Sequence, residues 1–138
     1  MRSTAYTHAL SVLARIDRLV TINSAIEVDL TGQINAEVAG GAYVGAVGGA
    51  MDFLRGAHAS RGGLPIIALP ATAVGGSQSR VVDRLSGPVS TPRADAGLIV
   101  TEYGVADLRG CNLRERARRM VAIAHPDFRE ALARAAGL

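Results

Sequence analysis

The sequence predicts an α/β domain in which a mixed, largely parallel sheet is flanked by helices. Two short apolar runs, residues 64–69 (LPIIAL) and 98–101 (LIVT), have the composition of strands buried inside a sheet. Residues 113–124 repeat apolar side chains at helical spacing, which is typical of an amphipathic helix. Glycine-rich segments at 45–49 and 75–76 follow predicted strands, and this alternation of strands, glycine loops and helices indicates an α/β fold.

The first part of the chain contains one predicted helix followed by short strands. Residues 8–15 are predicted as a helix and residues 18–22 as a strand. Residues 26–30 and 34–38 alternate apolar side chains with other types on either side of a turn at 31–33, which predicts a β-hairpin. Further strands are predicted at 42–44, 64–69, 80–85, Val89 and 98–101, and a helix runs from 50 to about 59.

The order of the later elements predicts how they pack. We expect the apolar strands 64–69 and 98–101 to be neighbours within one sheet, with helices covering both of its faces. Asn112, with Glu115 three residues later, predicts an N-cap and a capping box for the helix at 113–124. Pro126 is well placed to open a second helix after it.

Length and composition limit the class of protein. The 138 residues fit one domain over 1–138, and the hydrophobic fraction of 49% is ample for a core. A single cysteine, Cys111, excludes an internal disulfide and cannot form a zinc site alone, so we expect a reducing, cytoplasmic location and no metal. No apolar run approaches the roughly 18 residues of a membrane span, and the first 18 residues lack the apolar core of a signal peptide.

The charge is moderately basic, and all of it comes from arginine. The formal net charge is +3 with 15 Lys plus Arg, and the sequence contains no lysine. From Arg109 onward the sequence contains seven arginines and only three acidic residues. The favoured interpretation is a helix face exposed to solvent, and binding of an anionic partner is the minor one. No nucleic-acid-binding motif is present, so we expect neither a nucleic-acid partner nor a membrane partner.

The segment GAVGGAMDFLRGA at 45–57 is the strongest candidate site by its chemistry. Glycines placed just before a helix let the backbone come close to a ligand, and the free N–H groups of the first helical turn then favour an anion or a developing oxyanion. A glycine-rich turn without any ligand is an equal alternative on spacing alone. We expect this loop, the loop at 75–76 and Glu102 to meet beyond the carboxyl ends of the strands.

Five segments together resemble the C-terminal domain of the acetyl-CoA hydrolase/transferase family, which includes 4-hydroxybutyrate and succinyl-CoA:acetate CoA-transferases. The segments are INSAIEVDLTGQINAE (22–37), VGGAMDFLRGA (47–57), GGLPIIALPATAVGGSQSRVV (62–82), TPRADAGLIVTEYGVADLRG (91–110) and RERARRMVAIAHPDFRE (114–130). The resemblance covers nearly the whole chain. It implies a CoA-transferase-like layered domain of the NagB/RpiA type, one of two similar halves of an enzyme.

The family's chemistry implies specific roles for residues of this chain. A glutamate attacks an acyl-CoA thioester, an acyl anhydride forms, and a glutamyl-CoA thioester follows with release of the acyl group as a carboxylate; an acceptor carboxylate, or water in a hydrolase, then completes the cycle. The second glycine of the family's GG-x-x-DF motif holds the oxyanion through its N–H and corresponds to Gly49. The glutamate of the TEYG motif corresponds to Glu102 and implies a carboxylate near the nucleophile. Both loops imply CoA contacts, at Gly48, Gly49, Gly75 and Gly76.

The chain also departs from the family pattern. The nucleophilic glutamate of the family lies upstream of the strand at 22–30, in a segment that this sequence lacks, and neither Glu27 nor Glu37 matches it. An asparagine that completes the oxyanion hole in some relatives would fall near His8-Ala9, where no asparagine stands. Val74 replaces a lysine that can contact CoA, and Ala50 replaces a glutamine; Glu27 is interpreted as structural.

The resemblance predicts partners as well as chemistry. It implies acyl-CoA and a small carboxylate as substrates, no permanently bound cofactor, an N-terminal CoA-transferase half as partner, and a homo-oligomer. Transfer to a carboxylate and hydrolysis by water both remain open. The alternative from another class is a non-catalytic module that binds CoA or another anion through its glycine loops.

Overall fold

The computed structural model of the protein describes residues 1–138 and confirms the α/β class. The helices are α1 (Thr4–Thr7), α2 (Leu10–Leu13), α3 (Ala50–Ala59), α4 (Leu113–Ile123) and α5 (Pro126–Ala135). The strands are β1 (Val20–Asn23), β2 (Glu27–Asp29), β3 (Ile34–Asn35), β4 (Val38–Ala39), β5 (Ala42–Tyr43), β6 (Leu64–Ala68), β7 (Thr72–Ala73), β8 (Gln78–Ser79), β9 (Val81–Val82), β10 (Leu98–Thr101) and β11 (Gly104–Asp107). None of the helices has the length and hydropathy needed to cross a membrane.

The largest sheet has four strands in the order β1-β6-β10-β11. β1, β6 and β10 run parallel, and β11 runs antiparallel to β10. The two apolar runs of the sequence are therefore neighbours inside one sheet, as predicted, and neither is an edge strand. Ile67 and Ile99 of these two strands are buried in the core on one face of this sheet.

Three smaller sheets complete the strand pairing. The predicted hairpin forms, with Glu27 of β2 opposite Asn35 of β3, and β9 adds a parallel strand to β2. β4 pairs with β5, and β7 pairs with β8 around the second glycine loop. The strand predicted at 80–85 is limited to β9, and Val89 lies outside any strand.

One hydrophobic core joins the four-stranded sheet, the three-stranded sheet and the long helices. Leu54 of α3, Ile67 of β6, Ile99 of β10 and Met120 of α4 all belong to a single buried cluster of 17 residues. The Thr101 hydroxyl donates to the carbonyl of Ile123 at 2.6 Å, which fixes the end of α4 to the end of β10. The helices α3 and α4 thus pack on the sheet face that carries Ile67 and Ile99.

The other face of the four-stranded sheet corrects the expectation that helices cover both faces. The side chains that alternate with Ile67 and Ile99 point away from α3 and α4. Among them, Ile22 is 68% exposed and Val105 is 60% exposed. The unbroken apolar runs predicted a sheet with both faces buried, but they carried no information on whether the second helical layer is part of this chain.

The ends of the chain also show where local patterns succeed and fail. Within the predicted helix at 8–15 only Leu10–Leu13 is helical; an unpredicted helix, α1, precedes it and ends at Thr7. Leu13 is the one buried residue of α1 and α2. The predicted capping box is present: the Glu115 N–H donates to Asn112 Oδ1 at 2.9 Å, and the Asn112 N–H donates to Glu115 Oε2 at 2.8 Å. Pro126 opens α5, as predicted.

Candidate active site

The glycine loop at 45–49 presents a run of unpaired backbone N–H groups. Gly45 is anchored by a hydrogen bond from its N–H to the carbonyl of Glu37 at 3.0 Å. From Ala46 to Asp52, no backbone N–H donates to an acceptor within the chain. Gly49 is the N-cap of the ten-residue helix α3, so the loop and the first helical turn offer their donors side by side. Such an array attracts a carboxylate, a phosphate or an oxyanion.

The His8 side chain lies directly against position 49. A Cβ added to Gly49 would lie 2.5 Å from His8 Nε2, which is closer than any normal contact. The His8 ring is held in place: it packs edge-to-face on Phe53 of α3 at 4.8 Å between ring centroids, and its Nδ1 lies 3.0 Å from Thr7 Oγ1. At Gly48 an added Cβ would meet nothing within 4 Å, so this glycine faces open space.

The sequence motifs indicated that an asparagine of some relatives is absent near His8-Ala9, but they gave His8 itself no role. The structure places the His8 imidazole beside Gly49. No short motif connects His8 to the glycine loop, because the contact is made between two segments that are distant in sequence. The break between α1 and α2 at His8-Ala9 is what turns this ring toward α3.

Glu102 follows directly after β10 and is exposed at the carboxyl edge of the sheet. Its Oε2 accepts a hydrogen bond from the N–H of Ala71 at 2.8 Å, and it forms no ion pair. The carboxylate lines an open groove with Ala68, Leu69 and Val100. It is therefore oriented by the backbone, and its second oxygen, Oε1, has no hydrogen-bond partner within the chain.

The second glycine loop is an exposed hairpin tip between β7 and β8. Val74, Gly75 and Gly76 have φ values of 50°, 62° and 94°, so three successive residues adopt the left-handed region. An added Cβ would meet nothing within 4 Å at Gly75 or Gly76, so both glycines face open space. The loop is tied to Glu102 because Ala71, whose N–H binds that carboxylate, precedes β7.

Val74 is strained, since a β-branched residue rarely adopts a positive φ. We expect Val74→Gly to raise the free energy of unfolding by about 1 kcal/mol, because glycine relieves the strain and Val74 is exposed. Urea unfolding followed by circular dichroism measures this change. Gly75→Ala is the opposite test: it introduces the same kind of strain at φ 62° and should lower the stability. A destabilised Val74→Gly variant would contradict the strain argument.

Gly48 and Glu102 lie on either side of the end of β6. Gly48 lines a cavity with Ser24, Met51 and Ile67, whereas Glu102 lines the adjacent groove with Ala68. Both sit at the edge where the parallel strands β1, β6 and β10 end, which is where ligands of such sheets bind. The two groups do not share one cavity in this chain.

The glutamates of the β-hairpin are engaged in structural contacts. Glu27 is buried, and its Oε1 accepts from Asn35 Nδ2 at 2.9 Å, from the Ser86 N–H at 2.6 Å and Ser86 Oγ at 2.9 Å, and from the Gly87 N–H at 3.3 Å. Glu37 Oε1 accepts from Ser90 Oγ at 2.7 Å. These bonds connect the hairpin to the 86–90 segment, so Glu27 acts as a structural anchor.

The remaining polar residues form no second catalytic cluster. His58 contacts the carbonyl of Asp95, and His125 Nδ1 accepts from the Asp127 N–H at the start of α5. No group of three or more His, Cys, Asp and Glu side chains could hold a metal ion. Asp107 and Arg109 form an ion pair at the surface. The hydrogen bond from the Arg109 guanidinium lowers the pKa of the Asp107 carboxyl.

The arginines of α4 are used partly within the chain. Arg116 donates to the carbonyls of Thr31 and Arg93 at 3.1 and 2.9 Å. Arg119 donates to the carbonyl of Asp107. The basic helix is therefore tied to neighbouring loops rather than presented as a free cationic stripe.

Comparison with known proteins identifies relatives over nearly the whole chain. The family profile described as "Acetyl-CoA hydrolase/transferase C-terminal domain" matches residues 1–136. The 4-hydroxybutyrate coenzyme A transferase of Clostridium kluyveri is 46% identical over 132 residues, which are 94% of this chain and 31% of that protein. The succinyl-CoA:acetate/propanoyl-CoA:succinate CoA transferase of Fasciola hepatica is 43% identical over 140 residues, 99% of this chain and 29% of that protein.

A solved structure shows the same relation. The crystal structure of RipA from Yersinia pestis superposes with a TM-score of 0.86 at 45% sequence identity. The matched region is 96% of this chain and 28% of the RipA chain. The chain thus spans less than a third of the length of the relatives that it matches.

Proposed function

Because this chain belongs to the acetyl-CoA hydrolase/transferase family, as its sequence motifs predicted, we propose that it supplies one half of a CoA-transferase active site. The complete enzyme moves CoA between a short acyl-CoA and a small carboxylate through a glutamyl-CoA intermediate. The observation that carries this proposal is the run of free N–H groups from Ala46 to Asp52. A backbone-oriented carboxylate, Glu102, lies at the same edge of the sheet. The N-terminal half supplies the nucleophilic glutamate.

The free N–H groups would act where negative charge develops. A carboxylate oxygen of the nucleophile adds to the thioester carbonyl carbon, and the electron pair of the C=O bond moves onto its oxygen. The N–H of Gly49 donates to that oxyanion. The tetrahedral adduct then collapses and expels the CoA thiolate, leaving an acyl-glutamyl anhydride. The thiolate attacks the glutamyl carbonyl, releases the acyl group as a carboxylate, and forms glutamyl-CoA.

Glu102 and the second glycine loop would serve the substrates. The free Oε1 of Glu102 orients the incoming carboxylate or tunes the proton affinity of the nucleophile. The exposed loop at Gly75 and Gly76, with the loop at Gly48 and Gly49, would contact CoA through its backbone. Neither role needs a permanently bound cofactor. We further propose that the complete enzyme is a cytoplasmic homo-oligomer.

A non-catalytic module that binds CoA or another anion is the second candidate. The engagement of Glu27 by four hydrogen bonds favours it, since that glutamate is not free to attack a thioester. In this case the loops would bind CoA without any covalent step. The two candidates differ in whether a glutamyl-CoA adduct forms when the N-terminal half is present.

The isolated 138-residue chain should not turn over acetyl-CoA, because it offers oxyanion donors without the attacking carboxylate. Turnover should appear when the chain is mixed with the N-terminal part of the Clostridium kluyveri transferase that lies outside the matched region. The assay supplies acetyl-CoA with acetate, succinate, 4-hydroxybutyrate or water alone, which also separates transfer from hydrolysis. Borohydride trapping and mass spectrometry then locate the adduct.

Three results of this assay have distinct meanings. An adduct on the N-terminal part supports the proposed division of the active site. An adduct on Glu27, Glu37 or Glu102 refutes it, because the nucleophile would then belong to this chain. CoA binding by calorimetry, without turnover or adduct in the mixture, supports the non-catalytic module instead.

A further inference from the structure

The face of the four-stranded sheet that points away from α3 and α4 is a continuous apolar surface, which we call the outer face. The strand register places its side chains next to one another across β1, β6, β10 and β11. Val20, Ile22 and Val105 in it are 51%, 68% and 60% exposed, and the others are partly exposed. Its members are Val20, Ile22, Leu64, Ile66, Ala68, Leu98, Val100 and Val105.

A bare surface of this kind does not fit a finished parallel sheet. Parallel strands occur almost only in sheets whose two faces are both covered, and contiguous apolar patches mark interaction sites. The charged side chains lie at the margin of the outer face: Asp107, whose carboxylate is paired with Arg109 at 2.7 Å, and Glu102, which lines a groove with Ala68 and Val100. An apolar centre with a polar rim is the arrangement of a protein–protein interface.

We propose that the N-terminal half of the family's enzymes packs a helical layer on the outer face. This inference rests on the proposed function, in which that half is the partner. The relatives supply the occupant, because more than two thirds of their length lies outside the region matched by this chain. The opposite face, which carries Ile67 and Ile99, is covered by Leu54 of α3 and Met120 of α4. A helical layer on the outer face would cover the sheet in the same way.

The position of the outer face connects this interface with the candidate active site. Ala68 and Val100 belong to the outer face, and both also line the groove of Glu102. A layer seated on the outer face therefore ends beside Glu102 at the carboxyl edge of the sheet. The half that supplies the nucleophile would therefore reach the edge of the sheet at which the glycine loop lies.

The test uses the full 138-residue chain and the N-terminal part of the Clostridium kluyveri transferase as the probe. Calorimetry without substrate measures the affinity of the wild-type chain and of the Ile22→Asp/Val105→Asp double variant. We expect the double variant to bind on the order of 100-fold more weakly, because it would bury two unpaired charges. Both residues are exposed in the isolated chain, so the fold should persist; circular dichroism checks this, and Ile22→Ser/Val105→Ser provides a milder pair.

Leu113→Asp is the matched control, because Leu113 is 55% exposed and lies on α4, away from the outer face. It should bind the probe as the wild type does. Equal binding by the double variant, or no binding by the wild-type chain, would overturn the proposal. So would sedimentation data in which the double variant loses only self-association, since a second copy would then occupy the face. Docking without turnover would leave this interface intact and refute the proposed function alone.

Discussion

Replacing Gly49 by valine is expected to lower kcat of the assembled enzyme by about 10²–10³-fold, the loss found when an oxyanion donor is removed. The added Cβ would start 2.5 Å from His8 Nε2, and valine adds two methyl groups to it. Because the His8 ring also contacts Phe53 and Thr7, we expect the backbone at residue 49 to move and turn its N–H out of line. Steady-state kinetics of the reconstituted halves measures the loss.

A second substitution separates this clash from a general defect of the loop. The His8→Ala/Gly49→Val double variant lacks the ring that the valine would meet. We expect its kcat to be close to that of the His8→Ala variant, so that Gly49→Val costs little once the ring is absent. If Gly49→Val keeps the wild-type kcat, the loop does not hold the oxyanion. If the double variant is as slow as Gly49→Val, the valine acts by blocking substrate rather than by meeting His8.

The elements that the sequence predicted well are those determined by local chemistry. The apolar runs at 64–69 and 98–101 become adjacent interior strands, and Ile67 and Ile99 in them are buried in the core. Asn112 and Glu115 fix the start of α4 through two short-range hydrogen bonds. The glycine loop leads into α3 as predicted, because residue spacing alone signals a helix start.

The features that sequence patterns missed depend on contacts between distant segments. The resemblance placed position 8 near the oxyanion hole, but no pattern in the sequence indicated that the His8 ring would pack on Phe53 beside Gly49. The burial of Glu27 is set by Ser86 and Gly87, whose donors replace water around the carboxylate. The bare outer face was missed because alternation along a strand reports which side chains share a face, not what covers it.

Glu102 has a structural contact and a proposed chemical role, and two substitutions distinguish them. Glu102→Gln keeps an oxygen that can accept from the Ala71 N–H and removes only the charge. Glu102→Ala removes both, and it leaves the N–H of the fully buried Ala71 without its partner. We therefore expect unfolding free energies that are unchanged for Gln and lower by about 1 kcal/mol for Ala.

The two Glu102 variants should differ in stability but not in activity, because the proposed effect on the substrate depends on the negative charge, which both variants lack. Both variants should lower kcat/KM for the carboxylate acceptor in the reconstituted enzyme by about 10²-fold, the scale of a lost acid–base or orienting group. Since Glu102→Gln keeps the contact with Ala71, its loss of activity cannot be attributed to a displaced β7–β8 hairpin. Wild-type kinetics in the Gln variant, with a destabilised Ala variant, would instead make Glu102 an anchor for that hairpin and would leave the oxyanion loop as the chain's only contribution to the chemistry.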